Sequence, residues 1–147
     1  MTLKERLQED MKTAMKEKDL IRKNVVTMTR AAILQLEKDK KIELDDEGVI
    51  DVLAKGVKQR KDAIPEFERG NRPDVVEDLK KEIAVLMAYL PQQLSEEEIR
   101  KIVTETISEI GATSAKEMGK VMSALQPKIK GKADGKLVNT IVKEILV

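Results

Sequence analysis

Apolar residues return every three or four positions along nearly the whole chain, and nowhere do they alternate with polar ones over the length of a strand. That period lines them up on one side of an α-helix, so the chain must bury apolar surface by packing helix on helix. The fold class is therefore all-α. Thr2 followed by Glu5 has the spacing of a capping box, and Leu3, Leu7 and Met11 form a stripe behind it. A second helix starts near Asp19 and carries Val25, Met28, Ile33 and Leu36, after which KDKKIELDD reads as a charged loop. Asp45 then caps a third helix bearing Val49, Leu53, Val57 and Ile64.

Prolines and glycines punctuate the rest. Pro65 either kinks the third helix or ends it near Ile64, because its ring blocks the bond to the preceding turn. Residues 66–69 keep helical character, which favours a kink with Gly70 as terminator. Pro73 sits in the first turn of a fourth helix with Val76, Leu79, Ile83, Leu86 and Met87, and Pro91 stops it. Residues 91–94, Pro-Gln-Gln-Leu, form a candidate linker. Ser95 and Glu98 then make a capping box, Leu94 and Ile99 a hydrophobic staple. The fifth helix carries Ile99, Ile102, Val103, Thr106 and Ile110, with Gly111 as its C-terminal cap. Ser114 and Glu117 repeat the capping-box spacing ahead of a sixth helix with Met118, Val121, Met122 and Leu125, whose end is bracketed by Pro127 and Gly131. Asp134 caps a last helix with Leu137, Val138, Ile141, Val142 and Ile145. Four longer helices are thus followed by three shorter ones. The stripes read as core, and so do the seven methionines, as gap-fillers at core spacing.

What the chain lacks narrows its chemistry. Without cysteine there are no disulfides and no thiolate metal sites. Without histidine, Ser-His-Asp, Cys-His and histidine–zinc chemistry is closed to it. Phe67 and Tyr89 are the only aromatics, so successive bases have no stacking platform and single-strand readers are disfavoured. No apolar run approaches the roughly 20 residues of a membrane span. The charged opening MTLKERLQEDMK also lacks the apolar region of a secretion signal. A cytoplasmic protein with no membrane partner and no cofactor is expected. Net charge is +1 overall, but residues 112–147 hold seven lysines against Glu117, Asp134 and Glu144, a balance of +4. That asymmetry points to a polyanion as partner.

The densest basic stretch is PKIKGKADGK, where Lys128, Lys130, Lys132 and Lys136 crowd a loop that feeds a helix N-terminus. Outward backbone N–H groups of Gly135, Lys136 and Leu137 would suit a phosphate there, and glycines at 131 and 135 would let a ligand approach closely. Two features favour the plainer reading, a solvated loop: Asp134 is a natural N-cap, and it brings its own negative charge. Lys116 and Lys120, four apart on the sixth helix, either extend the positive stripe or simply solubilise the helix. Gly119 between them is expected to serve a close helix–helix contact. KQRK, residues 58–61, reads as an ordinary exposed turn sooner than as part of an RNA surface. Glu96, Glu97 and Glu98 occupy a first helical turn, where they offset the macrodipole instead of forming an acid–base or metal site.

Particular motifs in this chain resemble the GatB/YqeY family. EMGKVMSAL (residues 117–125) and KIKGKADGKLVNTIV (residues 128–142) are similar to that family's tail. LKERLQEDMKTAMKEKD near the start, VKQRKDAI (residues 57–64) and YLPQQLSEEEI (residues 89–99) extend the match over essentially the whole chain; Pro65 departs from it. The resemblance implies an N-terminal four-helix domain, residues 1–91, and a C-terminal three-helix domain, residues 92–147. It also implies kinship with the tail of the GatB component of the glutamine-dependent aspartyl/glutamyl-tRNA amidotransferase, which helps grip tRNA. A carbon–nitrogen ligase label with glutamine as amide donor comes with that kinship. The chain carries neither a Gly/Ser-rich amidase signature nor a GxxxxGK[ST] phosphate loop, so catalytic residues are not expected. Two roles follow. One is an accessory protein that binds tRNA or structured RNA in translation, with Lys116, Lys120, Lys128, Lys130, Lys132, Gly135 and Lys136 as contact residues. The alternative is an adaptor that docks on an amidotransferase or another translation enzyme through an apolar helix face.

Overall fold

The structure, a computed structural model, describes residues 1–146, and among them are seven α-helices, one 3-10 turn and no strand. The chain forms two compact units, Met1–Leu90 and Pro91–Val147.

The first unit contains α1 (Leu3–Glu17), α2 (Leu20–Lys40), α3 (Asp46–Arg69) and α4 (Pro73–Met87). Each of the first three is started by a side chain that takes up an otherwise unsatisfied amide. Thr2 accepts from Glu5 N at 3.2 Å, Asp19 from Arg22 N at 3.2 Å, and Asp45 from Gly48 N at 2.9 Å. Their inner stripes meet in one cluster of Leu7, Val25, Val26, Ile33, Val49, Leu53, Val57, Leu86 and Tyr89. Full burial of each large aliphatic side chain here contributes about 1.5–3 kcal/mol. At Gly56 a Cβ would stand 3.3 Å from Leu86 Cδ1 and from Arg60 Nη1, so a glycine lets α3 and α4 pack closely.

Pro65 does not end α3, and the helix runs on through residues 66–69, as their helical character predicts. Gly70 terminates the helix as its C-cap, at φ −80°, and Asn71 after it takes the left-handed region at φ 54°. Arg72 N donates to Phe67 O and Asn71 N to Glu68 O, a Schellman pair closed by asparagine in the usual glycine position. The charged loop after α2 is shorter than its sequence suggested, because α2 carries on through Lys40. Met28 is 62% exposed and Met15 54% exposed, so neither fills the core.

The second unit contains α5 (Glu96–Ile110), the 3-10 turn Ala115–Glu117, α6 (Met118–Ile129) and α7 (Gly135–Ile145). Ser95 and Glu98 form a complete capping box, and Gly111 closes α5 at φ 70°. Ile99, Val103, Val121, Leu125, Ile129, Val138, Ile141, Val142 and Leu146 make the core, with Leu94 packed against it. The second capping box does not form. Ser114 makes no capping bond, and Glu117 accepts from Thr113 N at 2.6 Å, so residues 115–117 wind as a 3-10 turn ahead of α6. Ile110, Leu137 and Ile145 lie at the edge of their stripes, each 37–41% exposed. Among the described residues no helix is long and apolar enough to cross a membrane.

Candidate nucleic-acid interface

The basic segment is a short, fastened loop between α6 and α7. Pro127 stands in the last turn of α6, and Gly131, at φ 71°, turns the chain where a side chain would be strained. Lys132 N and Ala133 N both donate to Ile129 O, at 2.8 and 3.2 Å. Ile129 and Ala133 face the core, while Lys130, Lys132 and Lys136 are exposed. Residues 91–94, expected to be a plain linker, hold this loop from outside. Leu94 N donates to Lys132 O at 2.8 Å, and the Gln93 side-chain amide donates to Gly131 O at 2.8 Å and Pro91 O at 2.9 Å. Two apolar residues turned inward and two backbone anchors thus fix the base from which the lysines project.

Asp134 caps α7 through its side chain, which accepts from Lys136 N at 2.9 Å. One of the amides considered for a phosphate is therefore already engaged. Gly135 is exposed, and a Cβ there would meet nothing within 4 Å, so packing does not demand glycine at this point. Bare backbone lies open to solvent beside Lys136.

The remaining lysines divide. Lys128 reaches back to α5, donating to Thr106 Oγ1 at 2.9 Å and pairing with Glu109 at 3.1 Å. Its charge is offset by the Glu109 carboxylate. Lys116, Lys120 and Lys132 are exposed and make no ion pair within 4 Å among the described residues. Lys116 lies in the 3-10 turn and not in α6, so the shared-face argument from α-helical i, i+4 spacing does not hold for Lys116 and Lys120. The close helix contact expected at Gly119 is also absent, since a Cβ there would meet nothing within 4 Å.

The acidic counterpart of this surface is α5. Arg100 bridges Glu96 and Glu144, each at 2.9 Å, and both carboxylates hold its guanidinium above its usual value. Glu98 serves the capping box, as first-turn acids do. In the first unit KQRK is not a uniform basic turn, because Arg60 is half-buried against Glu82 at 3.1 Å and Gly56 O at 3.1 Å. Among the described residues no three His, Cys, Asp or Glu are grouped to hold a metal ion. Gln93 had no local signal in the sequence, since its partner is distant along the chain. The Lys128–Glu109 pair was equally hidden, because it needs α5 and α6 side by side.

A family model described as Yqey-like protein matches residues 4–146. The chain is 30% identical over 146 residues to "Altered inheritance of mitochondria protein 41, mitochondrial" of Pyrenophora tritici-repentis, an alignment covering 96% of this chain and 79% of that protein. Proteins of the same name from Lachancea thermotolerans and Kluyveromyces lactis are 36% identical over 107 residues and 39% over 101 residues. The matches span 57% and 55% of those two yeast proteins.

Proposed function

From the premise that this chain belongs to the YqeY-like protein family, we propose that it is an accessory protein that binds tRNA or another structured RNA through its second unit. The observation that carries this reading is the anchored loop, from which exposed Lys130, Lys132 and Lys136 project beside the open backbone of Gly135. Lys116 and Lys120 add two further exposed charges on the same unit. Ammonium groups without aromatic neighbours suit the phosphates of a folded duplex, where charge and shape count for more than base identity. No catalytic step is assigned to the chain. The setting is the cytoplasm; the word mitochondrial belongs to the names of the fungal relatives.

The test is a gel-shift titration of tRNA at several salt concentrations. Wild type shifts the RNA and loses affinity as salt rises. Lys130→Glu, Lys132→Glu and Lys136→Glu combined abolish the shift, with the helical circular dichroism unchanged. Binding equal to wild type by that triple variant refutes the site. A second reading, an adaptor docking on an amidotransferase or another translation enzyme, is favoured by an exposed, uncharged face on α2. Its mark is protein capture that survives nuclease treatment.

A further inference from the structure

In a chain with 37% charged residues, α2 carries a single charge between Lys23 and Glu37, and that charge is Arg30. The inner side of the helix is taken up by Val25, Val26, Thr29 and Ile33. Outside, Thr27, Met28, Ala31, Ala32, Leu34 and Gln35 are exposed, with Met28 at 62% and Leu34 at 63%. At i, i+3 and i+4 spacing they form a continuous strip. The exposed faces of α1, α3 and α4, by contrast, are studded with Glu, Asp and Lys.

Arg30 stands at the edge of this strip. It is half-buried and lines a shallow cavity of about 210 Å³ between α1 and α2, shared with the apolar Leu7, Ile33 and Leu34 and with Lys4, Glu5 and Glu37. Its Nη1 lies 3.2 Å from Met11 Sδ, a weak acceptor, and among the described residues no carboxylate comes within 4 Å. Of the two acids that line the same cavity, Glu37 is engaged by Lys4 and by Leu44 N, and Glu5 makes no ion pair with Arg30 within 4 Å. A guanidinium partly removed from water and left without an acid costs stability, and an arriving carboxylate would repair that.

We infer that the outer face of α2 is a docking site for an amphipathic helix of a partner protein, one that brings an Asp or Glu to Arg30 from within its apolar stripe. Charge complementarity selects this occupant. A second copy docked α2 against α2 would offer Arg30 only the same uncharged strip. RNA would find Arg30 beside a Lys4 already paired with Glu37. Ala31 and Ala32 allow the close approach that helix packing needs, and Met28 and Leu34 supply adaptable apolar knobs on either side. This deepens the adaptor reading and is independent of RNA binding by the second unit.

The experiment is a display selection of randomised helical peptides against the full-length chain, followed by fluorescence anisotropy with the synthetic winners. The expected winners carry Asp or Glu flanked by apolar residues three or four positions away. Arg30→Gln weakens them about tenfold, the scale of one charge-assisted bond in a half-buried site. Ala31→Arg and, separately, Leu34→Lys abolish binding; both positions are exposed, and the two variants serve as checks on each other's folding by circular dichroism. tRNA gel shifts stay unchanged in all three, which separates this site from the RNA surface. The inference is overturned by winners without an acidic preference, by winners indifferent to Arg30→Gln, or by a selection that yields none. Sedimentation showing a dimer that Ala31→Arg dissolves would also overturn it, by making the occupant a second copy.

Discussion

The amide of Leu94 donates to the carbonyl of Lys132 across 2.8 Å, so the segment that opens the second unit also holds its basic loop in place. Gln93 adds the bond to Gly131 O. Replacing Gln93 with alanine removes one anchor and keeps the other. Amide exchange at Lys132 and Ala133 should accelerate, and tRNA binding should weaken about threefold, the effect of one modest hydrogen bond on a loop's preorganisation. Unchanged exchange would mean that the Gln93 bond does not restrain the loop.

Lys128 and Lys132 should part company under salt titration. Lys132 is exposed without an ion pair among the described residues, whereas Lys128 is tied to Thr106 and Glu109. Neutralising a lysine that contacts a phosphate lowers the slope of log K against log salt by about 0.9. Lys132→Gln should show that loss, and Lys128→Gln should leave the slope close to wild type. Lys128→Gln should instead cost the second unit up to about 1 kcal/mol in a urea melt, the usual scale for a surface pair. Equal slopes for the two variants would dissolve the distinction.

Helix starts were legible in the sequence wherever one side chain caps one nearby amide, as at Asp19, Asp45, Ser95 and Asp134. Ser114 and Glu117 had the same spacing, but the carboxylate found Thr113 N instead, and a 3-10 turn resulted. Spacing states which bonds are within reach; it does not decide between competing donors. Met28 shows a second limit. Its position fits an apolar stripe, yet three neighbouring helices cover only one side of α2 and leave that methionine outside. Gly119 and Gly135 looked like glycines kept for close approach, and only the absence of any neighbour within 4 Å shows that packing does not require them. The lysine-rich loop could be found from composition alone. Its anchoring by Gln93 and Leu94 could not, because that contact exists only once the chain has folded back on itself.

Tyr89 and Asp10 form the corresponding tie in the first unit. The buried phenol donates to the Asp10 carboxylate, and the Arg6 guanidinium sits over the ring, 4.6 Å from its centre. Tyr89→Phe should destabilise the protein by about 1.5–3 kcal/mol, as expected for losing a bond to a charged acceptor. Burial first, and the neighbouring Asp10 second, raise the phenol above its usual value of 10.0. A raised value in the folded state means a contribution complete below pH 10 and lost as pH climbs through the raised value. The alkaline fall in stability should therefore be shallower for Tyr89→Phe than for wild type, as chemical denaturation at stepped pH would reveal.

Glu37 works in the opposite direction. Hydrogen bonds from Lys4 and from Leu44 N lower its carboxyl below the ordinary 4.5. The contribution is present above pH 4.5 and disappears as pH falls through the lowered value. Glu37→Gln should flatten the acid limb of the stability profile below pH 4.5 and lower stability at neutral pH. An unaltered acid limb would show that this carboxylate does not link the end of α2 to the 41–45 loop.

Asn139 offers a test in which stability and binding move apart. It lies on α7, one turn beyond Gly135 and Lys136, and its Oδ1 is buried with no hydrogen-bond partner among the described residues. A buried acceptor without a donor costs about 1–3 kcal/mol, and an apolar side chain of similar volume removes that penalty. Asn139→Leu should therefore raise the urea midpoint by an amount equivalent to about 1 kcal/mol. An oxygen closed off from solvent does not reach a bound phosphate, so tRNA affinity should stay within about twofold of wild type, less than one ordinary hydrogen bond is worth. A destabilised variant would show that Oδ1 has a donor in solution. A stabilised variant with lost tRNA binding would instead make Asn139 part of the RNA surface, a polar group kept at a cost to the fold.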